Sequence, residues 1–176
     1  MPVKPQSAAA SFSAKTIFLS GLLVGTLDIS SAFVDYYIAT GKNPLFILNY
    51  IASGLFGKSV MTTGGAGMMI TGLLLHYFIA FSFTVFFFWL CSHTRLITVN
   101  WMLRGIGYGI FIWIIMNLVV VQLSGVPHGP ISAMKFNKIL KSALILICMI
   151  GLPLSYIVHR YSLASAKNRE SSVPAL

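Results

Sequence analysis

Acidic side chains are scarce in this sequence, three in 176 residues, and two of them, Asp28 and Asp35, fall inside one long apolar run. A carboxylate at the centre of a bilayer costs about 2.5–3.5 kcal/mol on insertion scales, so it faces a bundle interior or a water-filled cavity and has a partner there. The seven-residue spacing is two helical turns and sets both aspartates on one face with Gly21, Gly25 and the small pair Ser31 and Ala32. That stripe is expected to face protein and not lipid. Gly21 and Gly25 form a GxxxG pair that lets a second helix approach closely, and a packing seam is the plainer reading of it.

Two further polar residues lie deep in apolar runs. Counted from the midpoint of each run, Asp28 is central, while His76 falls about 5 Å to the outer side of centre and Asn117 comes to about the same depth. In a bundle whose axes pack about 8–10 Å apart, Asp28, His76 and Asn117 are expected to converge. An aspartate beside a histidine forms a charge-assisted pair that holds or passes a proton, and an asparagine amide can orient either partner. Asp35, higher in the stripe and next to Tyr36 and Tyr37, extends such a path toward the outer surface. Three readings stay open: interhelical hydrogen-bond glue, worth about 0.6–2 kcal/mol per contact, a proton or ion pathway, and ligation of a cofactor.

Haem is the cofactor to test, since four-helix membrane bundles hold it between histidines on facing helices. His76 has no second histidine at its depth: His93 and His159 belong to the opposite end of the bundle and His128 to a connection between Pro127 and Pro130. No cofactor is therefore predicted, with haem left to spectroscopy. Cys91 and Cys148 are expected to pack and not to pair or bind metal. The sequence has no Ser/His/Asp order, phosphate-cradling glycine loop, HExxH or CxxC, which leaves soluble-type catalysis without candidate residues.

The elements that must position these residues follow from composition. Apolar residues make up 57% of the chain and charged ones 9%, against roughly 25% charged in ordinary soluble domains. A bilayer core of about 30 Å takes about 20 apolar residues in a helix. Four runs reach that length, at about 16–39, 67–90, 102–123 and 142–159, in a single membrane domain covering 1–176. The run PLFILNYIASGLF at 44–56 is too short to cross, so it is read as an extra interfacial or re-entrant helix between spans one and two. The segment from Gly125 through Lys141 reads as a surface connection on that same side. Pro153 is expected to kink span four by freeing the carbonyl of Met149. Trp89 and Trp101 mark one interface with Tyr156 and Tyr161, and Tyr36, Tyr37 and Tyr50 mark the other.

The net charge of +9 is carried by residues read as tails and connections, where they meet anionic lipid headgroups. The bilayer is thus the expected partner, with a homo-oligomer or larger membrane complex beside it, and no nucleic-acid motif accompanies the charge. Lys4, Lys15, Arg95, Arg104, Arg160, Lys167 and Arg169 fall on the side of the termini, against Lys42, Lys58, Lys135, Lys138 and Lys141 on the other. That excess sets both termini in the cytoplasm.

Several stretches together resemble a group of small four-span bacterial membrane proteins without an assigned function: GLLVGTLD at 21–28, IASGLFGK at 51–58, GLLLHYFIA at 72–80, YGIFIWIIMNLVV at 108–120 and GLPLSYIVH at 151–159. The resemblance implies a bacterial inner-membrane location and no activity. Function is expected to be small proton- or ion-coupled transport or a channel-like role. The alternatives are a noncatalytic accessory or scaffold subunit of a membrane complex and a haem or quinone redox subunit.

Overall fold

Ser13 starts the first helix. Its Oγ accepts the backbone N–H of Thr16 at 3.2 Å, pairing one of the donors that a helix leaves free at its beginning. The computed structural model describes residues 12–126 and 135–171. In it this helix, α1 (Ala14–Thr40), is 27 residues long. It ends on Gly41, whose φ of 66° lies in the left-handed region and whose N–H returns to the Tyr37 carbonyl at 2.8 Å. A short apolar helix, α2 (Phe46–Phe56), and the single turn α3 (Val60–Thr63) lead into α4 (Ala66–His93). A 3-10 turn at Arg95–Thr98 precedes α5 (Trp101–Leu123), which opens with the Asn100 side chain accepting the Met102 N–H at 2.9 Å. The last long helix, α6 (Phe136–Ala164), continues to Ser171.

Among the described residues there is no strand, and α1, α4, α5 and α6 are each long and apolar enough to cross a membrane. Their outward faces expose large apolar side chains such as Ile38 (74%), Phe78 (71%) and Leu74 (66%). A continuous coat of this kind belongs against acyl chains and not water. The chain is an all-α, four-span integral membrane bundle with one extra short helix.

Span four differs most from expectation, starting at Phe136 and not 142, so Lys138 and Lys141 belong to its first turns. Long aliphatic stems let both side chains reach headgroup level from inside a helix, which is why charge misplaced the boundary. His128, Pro127 and Pro130, like the N-terminal Pro2, Lys4 and Pro5, lie outside the described residues.

The expected kink at Pro153 is absorbed differently. The helix widens into a π turn at Ile147–Gly151, closed by the Leu152 N–H on the Ile147 carbonyl, immediately before the proline that has no N–H to donate. A second π turn, Met116–Val120, interrupts α5.

The core gathers Val24 of α1, Phe87 and Phe88 of α4, Tyr108 and Ile112 of α5, and Ile150, Leu154 and Val158 of α6. Helices α5 and α6 approach each other backbone to backbone. A methyl on Gly109 would stand 2.6 Å from Ile147 Cα, and one on Gly105 would stand 3.0 Å from the Gly151 carbonyl. Gly21 and Gly25 meet α4 through side chains instead, Gly21 against the Phe81 ring and Gly25 against Tyr77 and Ala80. The same seam carries a hydrogen bond of 2.8 Å between Thr26 Oγ1 and the Tyr77 hydroxyl.

Helix α2 is tucked against the flank of the bundle. Its buried face is Leu48, Asn49, Ala52 and Ser53, and the Leu48 backbone sits on Gly72, which has no side chain to hold it away. Gly72 lies about 9 Å into α4 by helical rise. Asn49 Nδ2 donates to the Gly64 carbonyl at 3.0 Å and the Gly125 N–H to the Gly54 carbonyl at 2.9 Å, fixing α2 at both ends.

Candidate functional site

A cavity of about 210 Å³ lies where all four spans and α2 meet. Its walls are Ile29 and Ala32 from α1, Ile47 and Ile51 from α2, Ile79, Ala80 and Phe83 from α4, Ile112 and Met116 from α5, and Leu146 and Ile150 from α6. Two polar side chains open into it, Asp28 and His76. Asp28 is there because α1 turns its Gly21, Val24, Gly25 face inward and Asp28 lies one turn further along that face. His76 is there because Gly72, one turn earlier on α4, lets α2 close in beside it.

The geometry assigns the imidazole tautomer. His76 Nε2 lies 2.8 Å from the Gly25 carbonyl oxygen, which can only accept, so Nε2 carries a hydrogen and donates it across the α1–α4 seam. Nδ1 is then the one ring atom left to gain or lose a proton. Asp28 and His76 share the lining of the cavity. The neutral acid beside neutral imidazole and the carboxylate beside imidazolium both carry zero net charge, so a proton can reside on either partner without placing net charge in the apolar cavity.

The other residues singled out from the sequence lie elsewhere. Asn117 does not line the cavity; its Nδ2 donates to the Trp113 carbonyl of its own helix at 2.9 Å, and its backbone carbonyl accepts from Gln122 Nε2 at 3.3 Å. Asp35 forms a salt bridge with Lys141, joining α1 to the start of α6 with both side chains partly in contact with the surroundings. His93 stacks on Trp89 with ring centroids 5.1 Å apart and bonds the Trp89 carbonyl through Nδ1, while His159 stacks on Trp101. His76 is the one histidine in the cavity. Among the described residues no three His, Cys, Asp or Glu side chains gather as a metal site. Cys91 is buried and Cys148 exposed, both as free thiols.

Arg104 is a correction. Its charge suggested a connection residue at the lipid surface, but it lies one turn inside α5 and is 5% exposed. Nε donates to Ser155 Oγ and Nη2 to the Ser155 carbonyl, both at 2.9 Å, and Nη1 donates to the Leu96 carbonyl at 3.2 Å. Ser155 Oγ in turn donates to the Trp101 carbonyl at 2.6 Å. The guanidinium therefore ties the 3-10 turn, α5 and α6 together through oxygen dipoles, with no carboxylate partner among the described residues. One turn on, the Tyr108 hydroxyl donates to the Phe83 carbonyl at 2.6 Å. A signal for this arrangement is present in the sequence: Gly105 and Gly109 mark the packing face of α5, and Arg104 and Tyr108 adjoin them on it.

No family model, curated protein or solved structure matches the chain, so the reading of the site rests on its own chemistry.

Proposed function

We propose that this chain is a small proton-coupled transport or channel-like protein that holds its proton on Asp28 and His76. The observation that carries the reading is the placement of a carboxyl and an imidazole in one apolar cavity at the meeting point of every long helix. Ionisable side chains are costly inside a membrane bundle, and ion paths and proton relays are built from them. Fixing Nε2–H on Gly25 directs exchange to Nδ1, which gives the pair a defined donor and a defined acceptor. We place the protein in a bacterial inner membrane with both termini cytoplasmic. The five exposed or terminal Lys and Arg of the other face oppose six on the face of the termini once Arg104 is set aside, and the quoted stretches resemble bacterial four-span proteins.

A second reading, a noncatalytic accessory subunit, is favoured by the His76–Gly25 hydrogen bond, which joins two helices whether or not a proton moves. One experiment separates the two. Purified protein is reconstituted in vesicles with a pH-sensitive dye inside, and proton entry is followed under a potassium diffusion potential. The transport reading expects entry above that of protein-free vesicles, abolished in Asp28→Asn with the folded fraction unchanged. Wild-type vesicles no leakier than empty ones, or unchanged flux in Asp28→Asn, would overturn it. Absence of flux together with a lowered melting temperature in Asp28→Asn is the result the accessory reading expects.

A further inference from the structure

The central cavity holds an acceptor that nothing in the protein satisfies. The Ser31 hydroxyl bonds the Asp28 backbone carbonyl and not its side chain, and among the described residues no group donates to the Asp28 carboxyl. Packing does not seal the carboxyl either: among the described residues, the side-chain oxygen closed in without a partner is Asn49 Oδ1. The Asp28 oxygens therefore open into the chamber that the residue lines. With Nε2–H on Gly25, Nδ1 of the neutral His76 ring is an acceptor as well.

Charge accounting says what a guest must carry. With its proton the pair is neutral in either arrangement; without it the chamber holds one negative charge, which is costly among apolar walls. No titratable side chain from α2, α5 or α6 lines the chamber, and α1 and α4 contribute Asp28 and His76 alone. Asp35, further along α1, is paired with Lys141, and the Tyr77 hydroxyl of α4 with Thr26. A single positive charge thus replaces the proton one for one. An anion finds no counter-charge, because no lysine or arginine lines the chamber. A bare metal ion needs about six oxygens in place of its water shell, and here one carboxyl stands among apolar walls.

We propose that the chamber binds one monovalent organic cation, the size of a single aromatic ring with a small ammonium group, in exchange for one proton. Such a guest brings its own apolar surface to the walls and its charge to Asp28. An apolar cavity of about 150 Å³ takes up benzene, so the 210 Å³ available leaves room for an ammonium beside the ring. The proton leaves the Asp28–His76 pair for water, and the cation keeps all of its own. This inference rests on the proton coupling proposed for the same site and names its cargo.

The test titrates the full chain in dodecyl maltoside with phenyltrimethylammonium, whose charge is permanent. Calorimetry reads binding, a pH indicator reads proton release, and empty micelles are the blank. Wild type is expected to bind one cation and release one proton, with affinity falling about tenfold per unit of acidification wherever the pair holds its proton. tert-Butylbenzene, the same shape with carbon in place of the charged nitrogen, is expected to release none. Asp28→Asn is expected to lose the proton release and about tenfold or more in affinity. Ala32→Leu fills the chamber, leaves both ionisable groups in place, and is expected to lose the cation with the folded fraction unchanged. Should Asp28→Asn fail to fold, the wild-type pH slope and Ala32→Leu carry the test. No saturable binding at any pH, binding without proton release, or tert-butylbenzene held as tightly as the cation at alkaline pH overturns the proposal. The transport reading fails separately. Proton-tight vesicles with the exchange intact in micelles would refute transport alone, whereas proton entry abolished by Asp28→Asn with no cation bound would refute the cargo alone.

Discussion

Replacing Gly109 by alanine tests the claim that α5 and α6 touch backbone to backbone. The added Cβ would stand 2.6 Å from Ile147 Cα and 3.0 Å from its nitrogen, a shortfall of about 0.8 Å against the 3.4 Å at which ordinary contact begins. These two atoms are backbone, and although the third obstruction, Ile147 Cγ1 at 2.7 Å, belongs to a side chain, no rotamer change relieves the backbone clash and the two helices must separate. Overpacking of this kind costs about 1–3 kcal/mol, while alanine gains about 0.8–1.0 kcal/mol over glycine in a helix interior. The net loss is then about 0–2 kcal/mol, too broad to be decisive alone. Gly107 supplies the reference: it lies in the same helix two residues away, and a methyl there meets nothing within 4 Å. Gly107→Ala should show the propensity gain by itself. The difference between the two variants cancels propensity and isolates the clash at about 1–3 kcal/mol. Unfolding by sodium dodecyl sulfate in mixed micelles, followed by far-UV circular dichroism, measures both. Equal stability within about 0.5 kcal/mol would refute the close approach, because that is below the smallest overpacking cost.

Other outcomes follow from single contacts. Ser155→Ala removes the acceptor of Arg104 Nε and the donor to the Trp101 carbonyl; a loss of about 2–3 kcal/mol is expected in the same unfolding assay, and a change under about 0.5 kcal/mol would contradict the buried network. Lys141→Gln breaks the bridge to Asp35, but both side chains are partly exposed, 57% and 38%. Its cost should stay under about 1 kcal/mol and shrink further in high salt; a larger, salt-insensitive loss would show a buried pair. In detergent, N-ethylmaleimide should modify exposed Cys148 well before buried Cys91, with mass spectrometry of Cys91→Ser and Cys148→Ser deciding the order. Faster modification of Cys91 would place α4 differently.

The architecture was legible because bilayer thickness sets a length that apolar runs either meet or miss, and α1, α4 and α5 ended within three residues of their expected limits. Lys138 and Lys141 displaced the start of α6 because charge was equated with a position outside the helix, whereas a lysine stem spans the difference. Within the site, Asp28 and His76 were recognisable as ionisable groups deep in apolar runs, and both line the central cavity. Asn117 had equal depth but lies within the Met116–Val120 π turn, where counting 100° per residue loses the face. Arg104 escaped notice because Trp101, three residues before it, signalled an interface and the burying partner, Ser155, is more than fifty positions away. No local pattern contains a contact of that range.

The two π turns have a consequence for how the cavity walls can move. A π turn holds one residue more than an α-helix needs, and this surplus can travel along the helix by exchanging carbonyl partners one at a time, much as a dislocation travels through a crystal. Each step rotates the residue it passes by about 100° and shifts it by about 1.5 Å while the rest of the helix keeps its bonds. Met116 begins one turn, Ile150 lies within the other, and both line the cavity that holds Asp28 and His76. Two walls of the chamber can therefore be re-cut by a local slip, without any span tilting or leaving the bundle.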